Sequence, residues 1–261
     1  VRSLKWAGIE IDEGVMLGTD GKITEKGDFG PYIQSERLDI YKKHAEILLE
    51  KGFAYYCFCS KERLEELRKK QEMNKEPGGY DEHCRDLSQE EVESLLKEEK
   101  TSVLRMKIPK SGETVFGDMI HGELRFKNEY IDDQVILKAD GFPTYHLANV
   151  VDDHLMGITY VIRGEEWLPS TPKHIMLYDF FGWQAPVFAH LSLLVNEQKA
   201  KLSKRHGDVS LEDFKEKGYV PEALVNFVAF LGWNPGDEKE LFSLEELEEA
   251  FSMEKVSKAP A

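Results

Sequence analysis

The sequence predicts an α/β fold that contains half of a doubly wound parallel sheet, and two patterns carry this prediction. From Pro143 onward the chain alternates in the order strand, helix, strand, helix, strand. This alternation is typical of parallel sheets, in which helices connect neighbouring strands. The segments of the alternation are Tyr145 to Val151, Thr159 to Ile162, a helix capped by Thr171 with Pro172 at its first position and Gly182 after its end, and Val187 to Leu194.

The second pattern is a basic loop, Lys201 to Arg205, between an apolar strand and a helix. Pro186 to Val195 predicts the strand, and Leu211 to Lys217 predicts the helix. Ligands of open α/β sheets bind beyond the ends of the strands. Lysine ammonium groups, the Ser203 hydroxyl and backbone N–H groups could therefore wrap a polyphosphate there. The alternative is that the loop is solvated surface, as most short basic loops are.

Composition indicates a soluble, globular protein. Of the 261 residues, 41% are hydrophobic and 32% are charged, no apolar run is long enough to cross a bilayer, and no signal-peptide pattern appears. The three cysteines, an odd number, argue against a disulfide framework and favour a reducing compartment, the cytoplasm or an organelle matrix. The formal net charge of −15 argues against a generic binder of polyanions, but it leaves room for a nucleic-acid partner at a local basic patch.

The first part of the chain predicts a helix end, a loop and a second helix. Val1 to Ile11 is typical of the tail of an amphipathic helix that runs into a strand without a start signal, so we expect the chain to begin within a structural element. Gly14 to Gly30 carries five glycines and predicts a loop. The helix that follows ends at Gly52. Its apolar face consists of Leu38, Tyr41, Ala45, Leu48 and Leu49.

The three cysteines could share one metal ion. Tyr55 to Cys59 predicts a strand, and Cys57 and Cys59, two residues apart, face the same side of it. Cys84 follows in a turn-rich loop at a hairpin distance, so three thiolates could meet in a zinc site. The candidates for the fourth ligand are Asp86, which we predict, and the neighbouring His83 and Tyr80. The alternative is that three reduced cysteines pack as small hydrophobic residues.

The remaining segments predict an α+β middle third and a helical end. Ser60 is the predicted N-cap of a charged helix, and capping boxes at Ser88 to Glu91 and Ser243 to Glu246 open two more. Helical periodicity also covers Pro221 to Leu231. The predicted short strands are Val103 to Ile108, Glu123 to Phe126 and Gln134 to Lys138, with Asp140-Gly141 as a hairpin turn.

Four stretches carry specific motifs. They are Gly30 to Arg37; Asp140 to His154, which contains P-T-Y-H-L-A-N-V-V-D-D-H; Val161 to Trp167, which contains I-R-G-E-E-W; and the loop K-L-S-K-R at Lys201 to Arg205. Together they closely resemble bacterial-type glutamyl-tRNA synthetase, and KLSKR is that family's form of the KMSKS loop of class I aminoacyl-tRNA synthetases. The resemblance covers essentially the whole chain. It implies ATP-dependent ligation of glutamate to tRNA(Glu) through glutamyl-adenylate, with Mg²⁺ assisting.

The resemblance also implies a domain organisation: a partial Rossmann-type parallel sheet, an inserted α+β acceptor-binding domain and a C-terminal helical stem-contact region. The implied divisions are 1–36 and 147–196 for the catalytic Rossmann domain, 37–146 for the acceptor-binding insertion with the zinc hairpin, and 197–261 for the KLSKR loop and the stem-contact region. The family's HIGH motif, its N-terminal arginine and glutamate that help to hold the amino acid, and its anticodon-binding region have no counterpart in the sequence. We therefore expect an internal fragment that is inactive alone.

Individual residues acquire roles from the resemblance. Tyr145, Asn149 and Arg163 match positions around the glutamate, and the planar guanidinium of Arg163 suits a carboxylate because it can donate two parallel hydrogen bonds. Without the resemblance, these three would be interpreted as a buried aromatic, a capped turn and a surface cation. The implied ATP-binding residues are Glu166, Trp167, Leu193, Leu194, Lys201, Leu202, Ser203, Lys204 and Arg205, of which Lys201 and Lys204 are the implied catalytic residues.

Asp152, Asp153 and His154 resemble a catalytic cluster, but we assign them to positioning or capping. In the implied reaction the substrate carboxylate attacks the α-phosphorus directly, so catalysis needs correct placement and charge stabilisation and no protein base.

Two other functions stay open at this point. A tRNA-modifying relative activates glutamate and places it on a modified base as glutamyl-queuosine, but it has no recognisable KMSKS loop. A non-catalytic RNA-binding module would fit the missing HIGH segment. The expected partners are tRNA(Glu), glutamate and ATP, with no membrane, and we expect a monomer in the cytoplasm.

Overall fold

The computed structural model describes residues 1–18, 20–196, 198, 201–202 and 210–259. The described helices are α1 (Arg2–Trp6), α2 (Leu38–Glu50), α3 (Lys61–Asn74), α4 (Gln89–Lys97), α5 (Tyr145–Leu155), α6 (Thr171–Phe181), α7 (Leu211–Glu216), α8 (Pro221–Ala229) and α9 (Leu244–Ala250). The described strands are β1 (Gly14–Leu17), β2 (Ile23–Lys26), β3 (Ala54–Cys57), β4 (Val103–Met106), β5 (Glu113–Asp118), β6 (Gly122–Lys127), β7 (Val135–Leu137), β8 (Tyr160–Gly164) and β9 (Val187–Leu191). Within these ranges no helix has the length and apolarity that crossing a bilayer requires.

A four-stranded sheet with the order β6-β5-β9-β8 forms the base of the candidate site. β8 and β9 run parallel, with Tyr160 opposite Val187 and Arg163 opposite His190, and α6 lies between them in the chain. β5 pairs in parallel with β9, and β6 joins β5 as an antiparallel hairpin. This arrangement confirms the predicted α/β class. The carboxyl ends of β8 and β9 lie side by side, with Gly164 opposite Leu191, whereas β5 ends at Asp118, opposite Phe188 near the start of β9.

The alternation predicted from Pro143 begins with a helix, so its expected first strand is wrong. Tyr145 to Val151 forms most of α5. Its buried residues are Leu147, Ala148, Val150 and Val151, which follow the three- and four-residue spacing of a helix face. The strand predicted to reach Leu194 ends at Leu191.

Two further segments differ from the sequence prediction. Gly14 to Gly30, predicted to be a loop, contains the antiparallel hairpin of β1 and β2. Gly21 has a φ of 77° in the turn between them, a conformation that glycine adopts without a steric cost. β5 was not predicted, because two of its three inward-facing residues, Thr114 and Asp118, are polar, whereas Val115 faces outward. Its hydrophobic alternation is therefore too weak to identify a strand.

The predicted helix caps are confirmed with one exception. Ser60, Ser88 and Ser243 each accept a hydrogen bond from a backbone N–H in the first turn of their helix. Thr171 is not the cap of α6, because residues 165–170 already form a 3₁₀ turn that runs into the helix. The Thr171 hydroxyl instead donates backward to the carbonyl oxygen of Trp167, at 3.0 Å.

One apolar core joins segments that the sequence assigned to different domains. Tyr41 and Leu48 from α2 pack in the same cluster as Val151 from α5 and Leu177 from α6. A second, antiparallel sheet with the order β3-β4-β7 contributes to that cluster through Met106, among others. The boundary predicted after residue 146 lies inside α5, and β5 of the predicted insertion pairs with β9. A division at that point would cut both a helix and a sheet.

Candidate functional site

The carboxyl ends of the parallel strands bring two of the predicted glutamate-binding residues together. Arg163, the penultimate residue of β8, donates from Nη1 to the Tyr145 hydroxyl, at 3.3 Å. Tyr145 and Asn149 are four residues apart on α5 and therefore lie on the same face of the helix. The buried Oδ1 atom of Asn149 has no hydrogen-bond partner in the described part of the chain. A buried acceptor of this kind requires a donor, which a bound ligand could supply.

Arg163 is held by three residues that the sequence did not identify. Its Nε atom donates to His190 Nε2 at 3.1 Å, and its Nη2 atom donates to Thr171 Oγ1 at 2.8 Å and to His174 Nδ1 at 3.2 Å. Two of the three guanidinium nitrogens are thus occupied by the protein. In this arrangement only Nη1 has hydrogens to spare, which does not favour a pair of parallel hydrogen bonds, and the binding of a carboxylate by Arg163 stays a prediction.

Asp118 and His190 form a buried pair behind Arg163. His190 Nδ1 lies 2.6 Å from Asp118 Oδ2, and both side chains are fully buried. Burial would raise the pKa of Asp118, but hydrogen bonds from His190 and from the backbone N–H groups of His121 and Ile120 hold the pKa below its ordinary value. Burial lowers the pKa of His190 against the opposing effect of Asp118. The pair is therefore an aspartate anion with a neutral imidazole. The sequence signal that could have identified this pair is His190 itself, because its imidazole interrupts the otherwise apolar run Val187 to Leu191.

The predicted ATP-binding residues lie beside this cluster. The Lys201 ammonium pairs with the Glu166 carboxylate at 2.5 Å, and this contact holds the pKa of Glu166 below its ordinary value. The Trp167 ring lies 4.4 Å from the Tyr145 ring, measured between centroids. The Leu193 backbone N–H donates to Glu165, and the Leu194 carbonyl oxygen accepts from the N–H of Leu202, which brings the first part of the basic loop back to the strand end. Ser203, Lys204 and Arg205 lie outside the described residues, so their roles stay predictions.

Asp152 and His154 have structural contacts that agree with positioning. Asp152 accepts hydrogen bonds from Arg37 Nε at 2.8 Å and from the Tyr41 hydroxyl at 2.7 Å, which ties α5 to the start of α2. The His154 ring stacks on Trp183 with centroids 3.8 Å apart. Both side chains are thus engaged in contacts within the fold, and their positioning role stays a prediction.

Asp153 provides a test of stability against pH. Burial and the neighbouring Asp152 raise its pKa to about 6. A carboxyl whose pKa is higher in the folded state favours folding while it is protonated, so its ionisation reduces stability as pH rises from about 4 to about 6. We expect Asp153→Asn to raise the free energy of unfolding by about 1–2 kcal/mol at pH 7.5 and to have little effect at pH 4.

Asp152→Asn is the matched control, since this carboxylate is bonded to Arg37 and Tyr41 and its neutralisation should destabilise the chain at pH 7.5. Urea unfolding of the two variants at both pH values measures the effect. Equal destabilisation by both substitutions at pH 7.5 would contradict the assignment of a raised pKa to Asp153.

The cysteines form a second cluster away from the strand ends. The ligand atoms of Cys57, Cys59 and Cys84 lie within 4.8 Å of one another. The Tyr80 hydroxyl lies 3.3 Å from Cys57 Sγ and 3.5 Å from Cys59 Sγ, and it accepts a hydrogen bond from the Cys84 N–H at 2.9 Å. The predicted fourth ligand, Asp86, is wrong in this structure: its side chain is 87% exposed and faces Lys107 at 3.7 Å. Cys84 points inward, whereas the chain turns Asp86 toward solvent.

Comparison with known proteins places this geometry in a family. The whole chain, residues 1–261, matches the family model described as tRNA synthetases class I (E and Q), catalytic domain. Glutamate--tRNA ligase of Clostridioides difficile (strain 630) is 56% identical over 259 residues, which cover 99% of this chain and 52% of that protein. Glutamate--tRNA ligase of Alkaliphilus metalliredigens (strain QYMF) is 53% identical over 259 residues, with the same coverage.

A solved structure agrees with the sequence comparison. The glutamate-tRNA synthetase of Elizabethkingia anophelis superimposes with a TM-score of 0.89 at 40% sequence identity, over 100% of this chain and 56% of that one. The chain thus spans about half the length of the curated relatives that it matches. On the family match, the relatives and the fold, the chain belongs to the class I tRNA synthetases for glutamate and glutamine and lies within their catalytic domain.

Proposed function

We propose that this chain is part of an enzyme that ligates glutamate to tRNA(Glu) in two steps, through glutamyl-adenylate and with ATP and Mg²⁺. The observation that carries the proposal is the position of Arg163 near the carboxyl end of β8, where it contacts Tyr145 at the start of α5, with Glu166 and its partner Lys201 following β8. A cation for a carboxylate thus lies next to a cation for a phosphate, as the joining of an amino acid to ATP requires. The relatives named glutamate--tRNA ligase support this choice of substrates.

The chemistry requires placement and charge stabilisation. The glutamate α-carboxylate attacks the α-phosphorus of ATP, and pyrophosphate leaves as negative charge accumulates on its oxygens. Lys201 is suited to that charge because its ammonium is a mobile donor, and its present partner Glu166 is exposed and can be exchanged for a phosphate. Lys204 is the second cation in the proposal, on the basis of its position in the KLSKR loop. The acceptor-binding and stem-contact assignments of residues 37–146 and 197–261 remain predictions about the tRNA.

Glutamate-dependent exchange of pyrophosphate into ATP by the full-length protein, with tRNA(Glu) present, tests the activation step. Transfer of labelled glutamate to unmodified tRNA(Glu) then tests the ligation. Exchange without transfer to unmodified tRNA would favour the tRNA-modifying activity, and the absence of exchange together with tRNA binding would favour an RNA-binding module.

We infer that the cysteine cluster holds a structural Zn²⁺ through Cys57, Cys59, Cys84 and Tyr80. Around tetrahedral zinc, two sulfurs lie about 3.8 Å apart, and a sulfur and an oxygen lie about 3.5 Å apart. The Cys59 and Cys84 sulfurs are 3.6 Å apart, and the Tyr80 hydroxyl lies 3.3 and 3.5 Å from two of the sulfurs. Four protein ligands leave no open position, so the ion would brace the end of β3 against the loop that carries Tyr80.

Two arginines support this interpretation by offsetting the negative charge that such a ligand set would carry. The Arg105 guanidinium lies over the Tyr80 ring at 3.8 Å, and Arg63 Nη1 donates to Cys59 Sγ at 3.4 Å. Both cations lie where deprotonated sulfur and oxygen ligands would need them.

The purified chain should therefore retain about one zinc ion after exhaustive dialysis. We expect Tyr80→Phe to weaken zinc binding by more than about tenfold, since even outer partners of a metal site contribute that much. Asp86→Asn is the matched control and should bind zinc like the unaltered chain, because Asp86 faces Lys107. Competition with a chelator measures both variants. A loss of affinity in Asp86→Asn, with none in Tyr80→Phe, would restore Asp86 as the fourth ligand.

A further inference from the structure

We propose that Asp118, Thr171, His174 and His190 form a buried socket that occupies two of the three guanidinium nitrogens of Arg163, so that Nη1 alone remains to bind the substrate carboxylate. These four residues, called the arginine socket below, belong to β5, α6 and β9. They act as positioning residues, because Thr171, His174 and His190 contact Arg163 directly and Asp118 holds His190. The identity of that substrate rests on the proposed function, whereas the contacts of the socket do not.

The donor count of Arg163 is the first argument. A guanidinium carries five N–H bonds, one on Nε and two on each terminal nitrogen. The Nε–H is directed at His190, and the two Nη2 hydrogens face Thr171 and His174 at 2.8 and 3.2 Å. Both remaining hydrogens are on Nη1, which has the Tyr145 hydroxyl as its neighbour at 3.3 Å. The side of the guanidinium that could make a paired contact therefore faces the protein interior.

The proton positions in the socket are the second argument. Asp118 accepts the Nδ1–H of His190, so the Nε2 atom of this ring carries a lone pair that can accept from Arg163. His174 accepts from Arg163 at Nδ1, so its proton lies on Nε2, which can donate to His146 Nδ1 at 3.0 Å. Both socket imidazoles must be neutral, since a protonated ring would direct an N–H at the guanidinium.

The charges agree with this assignment. Burial lowers the pKa of His174 well below its ordinary value, and the nearby Arg163 lowers it further. Burial likewise lowers the pKa of His146, to about 4. Asp118 is thus the anion that balances Arg163, and it does so through the ring of His190. A guanidinium that is bonded to a neutral acceptor keeps its charge available to a ligand, whereas one paired directly with a carboxylate would not.

The socket bears on how a carboxylate is distinguished from a carboxamide. A carboxamide has one acceptor oxygen and an NH₂ group, and the NH₂ group cannot accept from the N–H of Nη1. A guanidinium that could rotate would relieve the mismatch by turning away. The guanidinium of Arg163 is held at Nε and Nη2 and cannot rotate away. The mismatch with a carboxamide therefore persists, and glutamine binds more weakly than glutamate.

A pair of substitutions at His190 separates the socket from a general role in folding. His190→Asn keeps an N–H near Asp118 but leaves Arg163 Nε without an acceptor, whereas His190→Gln can place an amide oxygen near the former Nε2 atom. In the full-length protein we expect His190→Asn to raise KM for glutamate roughly 10- to 100-fold and to leave KM for ATP unchanged. We also expect it to lower the ratio of kcat/KM for glutamate to kcat/KM for glutamine. We expect His190→Gln to return both quantities to within a few-fold of the wild-type values.

Active-site titration of each variant corrects for misfolded protein. Equal losses in the two variants, or an unchanged KM and ratio in His190→Asn, would overturn the proposal, because a residue that only supports folding changes the number of active sites and not their selectivity.

A second measurement does not depend on activity. In ¹⁵N-correlated spectra, the signal that disappears in Arg163→Lys identifies the Nε–H of Arg163. We expect this hydrogen to exchange slowly with solvent in the wild type and in His190→Gln, and quickly in His190→Asn. Rapid exchange in the wild type would refute the socket even if the enzyme ligates glutamate. Slow exchange in a protein that fails to activate glutamate would leave the socket standing and refute the proposed function.

Discussion

Replacing Arg163 by glutamine in the full-length protein is expected to lower kcat/KM for glutamate by about 1,000-fold and to narrow the preference for glutamate over glutamine. The guanidinium lies at the carboxyl ends of β8 and β9, beside Tyr145 and with buried residues behind it, so a substrate carboxylate would meet a full positive charge there. A glutamine side chain offers no charge and also leaves the acceptors on His190 and His174 without their donor. Pyrophosphate exchange with glutamate and with glutamine, each across a range of concentrations, measures both effects.

The matched control is Arg125→Gln, which removes an arginine from β6 that pairs with Glu123 on the exposed surface. We expect this variant to remain within about twofold of the wild type, because an exposed ion pair contributes little. If the rates with glutamate and glutamine fall together in Arg163→Gln and their ratio stays at the wild-type value, then Arg163 holds the α-carboxylate or the fold. Other residues would in that case distinguish the side chain of glutamate from that of glutamine.

Lys204→Ala in the full-length protein is expected to slow formation of glutamyl-adenylate by roughly 100- to 1,000-fold while leaving the affinity for glutamate nearly unchanged. The expectation rests on the place of Lys204 in the KLSKR loop, which follows the Lys201 that pairs with Glu166. Its ammonium is predicted to act on charge that exists mainly in the transition state, where one preorganised donor is worth roughly 3–4 kcal/mol. Single-turnover activation rates at saturating glutamate and ATP measure the step directly.

Lys215→Ala, which removes an exposed lysine from α7, serves as the control for the general loss of one positive charge. It should activate glutamate at the wild-type rate. An unchanged rate in Lys204→Ala, accompanied by weaker binding of tRNA, would reassign the basic loop to contact with RNA.

Local signals in the sequence were sufficient for much of the fold. Ser60, Ser88 and Ser243 predicted three helix starts correctly, because an N-cap depends on atoms within a few residues of the chain. Pro172 and Gly182 likewise predicted the first turn and the end of α6. β5 was missed, because its inward-facing Asp118 finds its partner on β9, far along the chain, and no hydrophobic pattern records such a pairing.

For the site, the sequence by itself determined the family resemblance and the ligand-facing candidates Tyr145, Asn149 and Arg163, since motifs preserve residue types in a fixed order. Only the tertiary structure decided which donors of Arg163 are occupied, because His190 and His174 reach it from another strand and from a helix. Only the tertiary structure replaced Asp86 by Tyr80 beside the cysteines, where nearness in sequence favoured neither. The physical reason is the same in both cases: polar side chains find their partners through closeness in space, and separation along the sequence does not measure that closeness.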